Sequence, residues 1–271
     1  MRMKDHLSIN EFSKFSGIEA STLRYWDDIG LFSPSKRDPN NNYRYYSPDQ
    51  IIAVNFITVL SELKIPLKTI SDIEIDRTPE VIMDLIENQE NLLDMEMRQL
   101  RERYSIIHAR RDLIKLGLKA QAPEVSVRFL EEKPFILGPR NEFVGESFYE
   151  PFVHFCQQAK ELRINLSYPI GAYHETTEAF FKAPGQPDYF FSIDPTGNNR
   201  REAGEYLVGI TRGYYGELDD IAEKMKAYAD KNSLSFSGPA YVIYLHDEVC
   251  LRDPSQYLAQ ACVAVSRNNP L

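Results

Sequence analysis

Ser21, Thr22, Arg24 and Tyr25 follow one another on a stretch of helical pattern, and Tyr43, Arg44 and Tyr45 follow on an extended one. An outward arginine near a helix N-terminus can donate paired hydrogen bonds to phosphate or to a guanine edge, and a tyrosine hydroxyl can reach a phosphate. Arg24 or Arg44 alone reads as an ordinary solvated arginine. The combination, with Lys36 and Arg37 beside the extended segment, points to contacts with a nucleic acid.

The elements that would position these residues are legible around them. Ser8 and Glu11 have capping-box spacing, which starts a helix at Ser8 or Ile9. Ile9, Phe12 and Phe15 recur at helical spacing, and Gly17 can take positive φ and end the helix. Ser21 and Thr22 open a second helix, whose Leu23 and Trp26 face the first while Arg24 and Tyr25 face outward; Gly30 stops it. Pro34, Pro39 and Asn40-Asn41-Asn42 form turns, and Tyr43-Arg44-Tyr45-Tyr46 reads as a strand of a basic-tipped hairpin. The outline is a winged helix-turn-helix.

The run Ser21-Thr22-Leu23-Arg24-Tyr25-Trp26, then Gly30-Leu31, then Asn42-Tyr43-Arg44-Tyr45-Tyr46 resembles the DNA-binding domain of the MerR family of transcriptional regulators. The likeness continues through Ser47-Pro48-Asp49 into Leu63-Lys64-Ile65-Pro66-Leu67-Lys68, where Lys64 stands in place of the family's usual Gly. The resemblance implies that Ser21, Thr22, Arg24 and Tyr25 enter the major groove. It implies that Tyr43, Arg44 and Tyr45 lie against backbone or minor groove, with Lys64 and Lys68 on phosphates.

The chain has 271 residues and a net charge of -9. Such a charge disfavours nucleic acid as a partner, but its distribution is uneven. Residues 1–70 carry nine Lys and Arg against eight Asp and Glu, and the remainder carries 22 against 32. DNA contact is therefore confined to a local basic patch, with the acidic portion held away. Cys156, Cys250 and Cys262 are isolated, so neither a disulfide framework nor a thiolate metal cage is expected, and no metal or cofactor is called for. MRMKDH lacks the apolar core of a signal peptide and no apolar run approaches about 18 residues, which predicts a cytoplasmic protein with no membrane association.

Ser47-Pro48-Asp49 starts a further helix, with proline at a tolerated first-turn position; its Ile51, Ile52, Val54, Phe56, Val59, Leu60 and Leu63 suit packing under the DNA-binding pair. Thr78-Pro79-Glu80 opens a longer helix. In it Ile86, Leu93, Leu100, Ile107 and Ile114 recur at heptad spacing, with Leu85, Leu92, Ile106 and Leu113 one residue earlier. That is a coiled-coil seam, most simply paired with a second copy, although packing on the chain's own C-terminal domain is the alternative. MerR-family proteins dimerise through such helices, so the resemblance implies a homodimer. Gly117 is expected to end the helix, and Ala120-Gln121-Ala122-Pro123 to form a linker.

The fold class predicted is α+β: a winged helix-turn-helix over 1–76, a coiled-coil dimerisation helix over 77–119, and a pseudo-duplicated domain over 120–271 in which each half reads strand, helix, strand, strand. Helices are expected at about 148–162 and 218–229, with strands near 168–175, 189–193, 205–212, 240–246 and 257–265. The motifs Gly213-Tyr214-Tyr215-Gly216-Glu217-Leu218 and Gly238-Pro239-Ala240-Tyr241-Val242-Ile243-Tyr244 resemble the GyrI-like effector-binding domains of multidrug-responsive MerR regulators. That resemblance implies a cleft of aromatic side chains for a bulky lipophilic ligand, often a cation. Aromatic faces and a carboxylate stabilise a desolvated cation without demanding one shape. The candidates for the cleft are Phe148, Tyr149, Tyr168, Tyr173, Tyr189, Tyr206, Val242, Tyr244, Gln260 and Cys262, from a pool that also holds Phe190, Phe191 and Tyr241. Strand alternation places Val242, Tyr244 and His246 on one face, and Gln260 and Cys262 are expected to match it. Val242 and Gln260 stand where these domains often carry Glu, so a cation's charge must come from Glu205, Asp194 or Asp247, or else the ligand is neutral.

A ligand-responsive transcription activator follows. By resemblance, its dimer binds promoter DNA and distorts it so that RNA polymerase can engage both promoter elements. Metal sensing is disfavoured, because residues 115–125 contain no Cys. A hydrolase is the enzymatic alternative, since some GyrI-like domains hydrolyse small molecules, yet His154, His174 and His246 form no recognisable catalytic spacing. A DNA-binding repressor or plain architectural binder is the third.

Overall fold

The computed structural model describes residues 5–75, 77–142 and 148–267, so part of the MRMKDH segment lies outside the described residues. The chain forms two compact units, residues 1–99 and 100–271, and is α+β throughout.

In the first unit, β1 (Leu7–Ser8) leads into α1 (Ile9–Ser16) through the expected capping box, with Ser8 Nα donating to Glu11 Oε2 at 2.9 Å and Gly17 closing the helix at φ 76°. The second helix, α2 (Ala20–Asp28), is N-capped by Glu19. Ser21 and Thr22 thus lie inside its first turn instead of preceding it. The hairpin strands β2 (Lys36–Arg37) and β3 (Arg44–Tyr46) pair in register, and β1 adds to β3, giving a three-stranded sheet ordered β1-β3-β2. Phe12, Phe32 and Tyr46 stack face to face beneath it. Leu23 and Trp26 join them in one core with Val54, Ile57 and Leu60 of α3 (Ile51–Glu62), as a helix packed under the DNA-binding pair requires. Ile52 and Val59 of the same helix and Leu63 at its C-cap remain exposed, so only part of its apolar surface is used there. Next, α4 (Leu67–Ile75) seats Ile70 in this core, and α5 spans Pro79–Lys119.

In the second unit, where α5 contributes residues 100–119, β4 (Glu124–Leu130) and β5 (Lys133–Arg140) precede α6 (Tyr149–Gln158). β6 (Ile170–His174), α7 (Thr177–Lys182), β7 (Tyr189–Ser192) and β8 (Asn199–Arg201) complete the first half. The second half holds β9 (Gly204–Arg212), α8 (Asp219–Lys231), β10 (Leu234–His246) and β11 (Leu258–Arg267). One antiparallel sheet is ordered β4-β9-β11-β10-β6-β7-β5-β8. Within it β5-α6-β6-β7 and β9-α8-β10-β11 are the two copies, and their second strands, β6 and β10, meet at the centre with Ala172 opposite Val242. The expected duplication is present. The short helix α7, edge strand β8 and the first half of β10 had no expectation attached.

Two expectations are corrected. Gly117 does not end α5, which continues to Lys119; it lies buried where a Cβ would come within 2.5 Å of the His246 ring. The residue serves close approach, not termination. Gln260 and Cys262 do not share a face with Val242, because Ile243 pairs with Gln260 and Tyr241 with Cys262. Residues paired across a sheet point the same way, so these two belong to the opposite face.

Candidate functional site

On the first unit, Ser21, Arg24 and Tyr25 lie on the outward side of α2, all exposed, with Thr22 half-buried. Leu23 and Trp26, on the inward side, fix the helix's rotation by burial in the core. Tyr43 and Tyr45 stand with ring centroids 6.0 Å apart, Tyr43 the more exposed. Lys64 and Lys68 are exposed on either side of buried Ile65. Lys64 has φ 64°, the left-handed region. Lys64 N–H donates to Ser61 O and Ile65 N–H to Leu60 O, a Schellman closure of α3 whose αL position favours glycine.

Arg44 also has a structural role within the domain. Its Nε donates to Asp27 Oδ2 at 2.5 Å and its Nη2 to Asp28 Oδ1 at 3.0 Å, while Arg37 Nη2 donates to the same Asp27 oxygen. Asp27, at the end of α2 and with its side chain 2% exposed, therefore ties both hairpin strands to the helix. The Asp27 hydrogen bond holds the Arg44 guanidinium above its ordinary pKa. Aspartate three residues after Arg24 was visible in the sequence, but only the fold shows that the hairpin returns to it.

On the second unit, a cleft of about 280 Å³ opens between α6 and the turn that precedes α8, over the central strands. Gly171, Ala172 and Val242 form its floor. Phe148, Phe152 and Phe190 wall the first half, with Phe148 and Phe152 each edge-on to Phe190 at 5.3 and 5.2 Å. Tyr214, Tyr215 and Tyr244 wall the second, Tyr215 lying parallel to Phe148 at 5.8 Å and tilted against Tyr244 at 4.5 Å. Tyr244 donates its hydroxyl proton to Tyr214 O at 2.7 Å and accepts from Gly216 N–H at 3.2 Å, which fixes the turn before α8. Burial pushes the Tyr244 and Tyr215 phenols well above their ordinary pKa, so both stay neutral donors. Tyr149 and Tyr214 bond hydroxyl to hydroxyl at 2.5 Å between the two halves.

Among the described residues three charged ones line this cleft: Asp247, Glu248 and Arg110. Asp247 Oδ1 accepts from Val249 N–H at 3.0 Å, and Oδ2 lies 3.5 Å from Arg110 Nη1. Burial raises the Asp247 carboxyl pKa, the mark of a carboxylate short of compensating partners. Glu248 accepts the Tyr215 hydroxyl.

Of the expected cleft residues, Phe148, Tyr149, Tyr168, Val242 and Tyr244 are brought together here. The other five are not. Tyr173 packs on Tyr241 and Phe135 on the opposite face of the sheet, where Gln260 and Cys262 also lie. Tyr189 donates to Glu175 at 3.1 Å, and Tyr206 donates to Glu202 O at 2.8 Å beneath the Arg201 guanidinium. Among the candidate carboxylates, Asp247 reaches the cleft. Glu205 is exposed on β9, and Asp194 is spent on the Thr196 amide and hydroxyl. Phe152, Tyr214, Tyr215, Glu248 and Arg110 were missed; the duplication could have found the tyrosines, which precede α8 as Phe148 precedes α6. The three histidines stand in separate settings: His154 against Gln158, His174 wholly buried, His246 donating to Ile114 O at 3.1 Å.

A winged helix-turn-helix followed by an α+β unit with an aromatic, acidic-rimmed cleft defines a DNA-binding regulator. Residues 7–74 match the family described as MerR HTH family regulatory protein. The chain is 25% identical over 253 residues to the multidrug-efflux transporter 2 regulator of Bacillus subtilis (strain 168), covering 91% of this chain and 92% of that one. It is 28% identical over 170 residues to the multidrug-efflux transporter 1 regulator of the same organism, 58% of each. The transcriptional regulator BrlR of Pseudomonas aeruginosa is 39% identical over 70 residues, 26% of each. Residues 7–74 thus match the MerR DNA-binding domain, and the relatives, one of them along 91% of this chain, are named regulators.

Proposed function

We propose that this protein is a homodimeric, ligand-responsive transcription activator whose effector is a lipophilic cation bound in the cleft of the C-terminal domain. Residues 1–76 bind promoter DNA, 77–119 dimerise and 120–271 hold the effector. The carrying observation is the cleft itself: stacked phenylalanines and neutral tyrosines around a floor without charge, with Asp247 and Glu248 beside them. Aromatic faces and carboxylates out of bulk water favour a large, weakly hydrated cation. A neutral ligand read by Gln260 finds no support, since Gln260 faces away.

DNA contact is assigned to Ser21, Thr22, Arg24 and Tyr25 in the major groove and to Tyr43, Arg44, Tyr45, Lys64 and Lys68 on the backbone. Dimerisation is supported by Leu92, Leu93, Leu100 and Ile107, each roughly half exposed or more along the heptad seam of α5. Among the described residues no helix is long and apolar enough to cross a membrane, and action in the cytoplasm on RNA polymerase at the promoter fits this reading. Ligand binding must favour the DNA-distorting conformation over the other for activation to follow. The reading is tested by thermal shift of the full-length protein. Tetraphenylphosphonium should raise Tm and Asp247→Asn should abolish most of the rise; equal shifts with Asp247→Asn would sink the cationic assignment.

A further inference from the structure

Among the described residues Arg110 is the only cationic one in the cleft lining, and it comes from α5. Its Nη1 faces Asp247 Oδ2 at 3.5 Å, and its Nε donates to Ser167 O at 3.2 Å. Asp247 Oδ1 is committed to the Val249 amide, so Oδ2 is the oxygen left for a ligand, and Arg110 already addresses it. Another group of α5 holds the loop before β6. Glu102 accepts from Asn165 at 2.7 Å, and Tyr168, on the same loop, lines the cleft. The Arg110–Asp247 distance is long for a charge-assisted hydrogen bond and both side chains are partly exposed, so the pair is weak enough to exchange.

We infer that Arg110 is a built-in competitor for the cleft carboxylate: a cationic effector binds by taking Asp247 Oδ2 from the Arg110 guanidinium. Arg110 thereby determines the charge the cleft accepts and gives α5 a contact that is lost on binding. This rests on the cationic-effector reading above. Among the described lining residues two carboxylates stand against one guanidinium, an excess of one negative charge that suits a monocation. Arg110 lies on the same helix as the heptad seam, so exchange at Asp247 frees the guanidinium of the element proposed to dimerise. Ligand binding is then coupled to α5 by a differential contact, as any ligand-driven shift requires.

The test is isothermal titration calorimetry of full-length wild type, Arg110→Gln and Arg110→Lys with tetraphenylphosphonium and with neutral triphenylphosphine oxide. Removing the competitor should tighten tetraphenylphosphonium binding about two- to fivefold, the equivalent of one weak ion pair. Arg110→Lys keeps the charge and should stay near wild type, and the neutral probe should bind all three proteins alike. Arg110→Met, which keeps part of the apolar stem, takes the place of Arg110→Gln if that variant unfolds. Unchanged or weaker tetraphenylphosphonium binding in the neutral variant, with wild type binding normally, overturns the competition and leaves the cleft reading standing. Parallel losses for both probes make Arg110 merely structural and overturn it equally. No tetraphenylphosphonium binding to any of the proteins overturns the cationic cleft and the competition together.

Discussion

Lys64 holds a left-handed backbone conformation at the end of α3, which costs a non-glycine residue about 1 kcal/mol. Lys64→Gly relieves that cost but adds chain entropy to the unfolded state, leaving a net stabilisation of about 0.5 kcal/mol in urea unfolding. The same substitution removes a proposed phosphate contact from each protomer, so DNA affinity should fall and the salt slope of the proposed dimer should shrink by about two. Asp27 behaves oppositely. Asp27→Ala strips both hairpin arginines of their shared carboxylate, and a loss of about 2 kcal/mol is expected, moderated by the partial exposure of Arg37 and Arg44. The chain's single tryptophan, Trp26, reports that unfolding by fluorescence. Burial pushes His174 down to about 4, below its ordinary 6.5. The unfolded chain thus binds more protons between those values, and stability is full above pH 6.5 and declines as pH falls towards 4. The loss amounts to about 3 kcal/mol at most. His174→Phe, beside Phe180, should flatten the acid limb of the stability profile; an unchanged limb would contradict the assignment.

The elements show where local pattern suffices and where it does not. α1, its capping box and its Gly17 cap were legible because every signal lies within a few residues. The long helix and the duplicated strand-helix-strand-strand order were legible because heptad and strand periodicities persist over whole elements. The cleft was half legible. Phe148, Tyr149 and Tyr168 lie near the start of α6 or of β6, but Tyr173 and Gln260 were misplaced because inter-strand register is a non-local property, invisible in either strand alone. Gly117 illustrates the same limit: its reason is His246, far along the chain. Helix propensity alone would make Gly117→Ala stabilising by about 1 kcal/mol. The structure predicts the reverse, a lower Tm, since the new methyl must displace His246 from Ile114. A raised Tm would show that the ring yields freely.

Across the whole molecule, charge separates the tasks. The first 70 residues are nearly neutral and carry the exposed Arg24, Lys64 and Lys68, while the acidic excess lies beyond them. On the proposed promoter-bound dimer, DNA affinity would come from a few local cations, and steep salt dependence is expected. The heptad seam predicts a dimer at micromolar concentration in sedimentation, and a monomer there would remove the basis for two-fold operator binding. The central claim, that cleft occupancy changes the state of bound DNA, is tested most directly by footprinting full-length protein on a selected operator, alongside run-off transcription, with and without tetraphenylphosphonium. The expected result is a footprint fixed in position, new reactivity at its centre and a rise in transcript with the cation. An unaltered centre and unaltered transcript under saturating cation would contradict it.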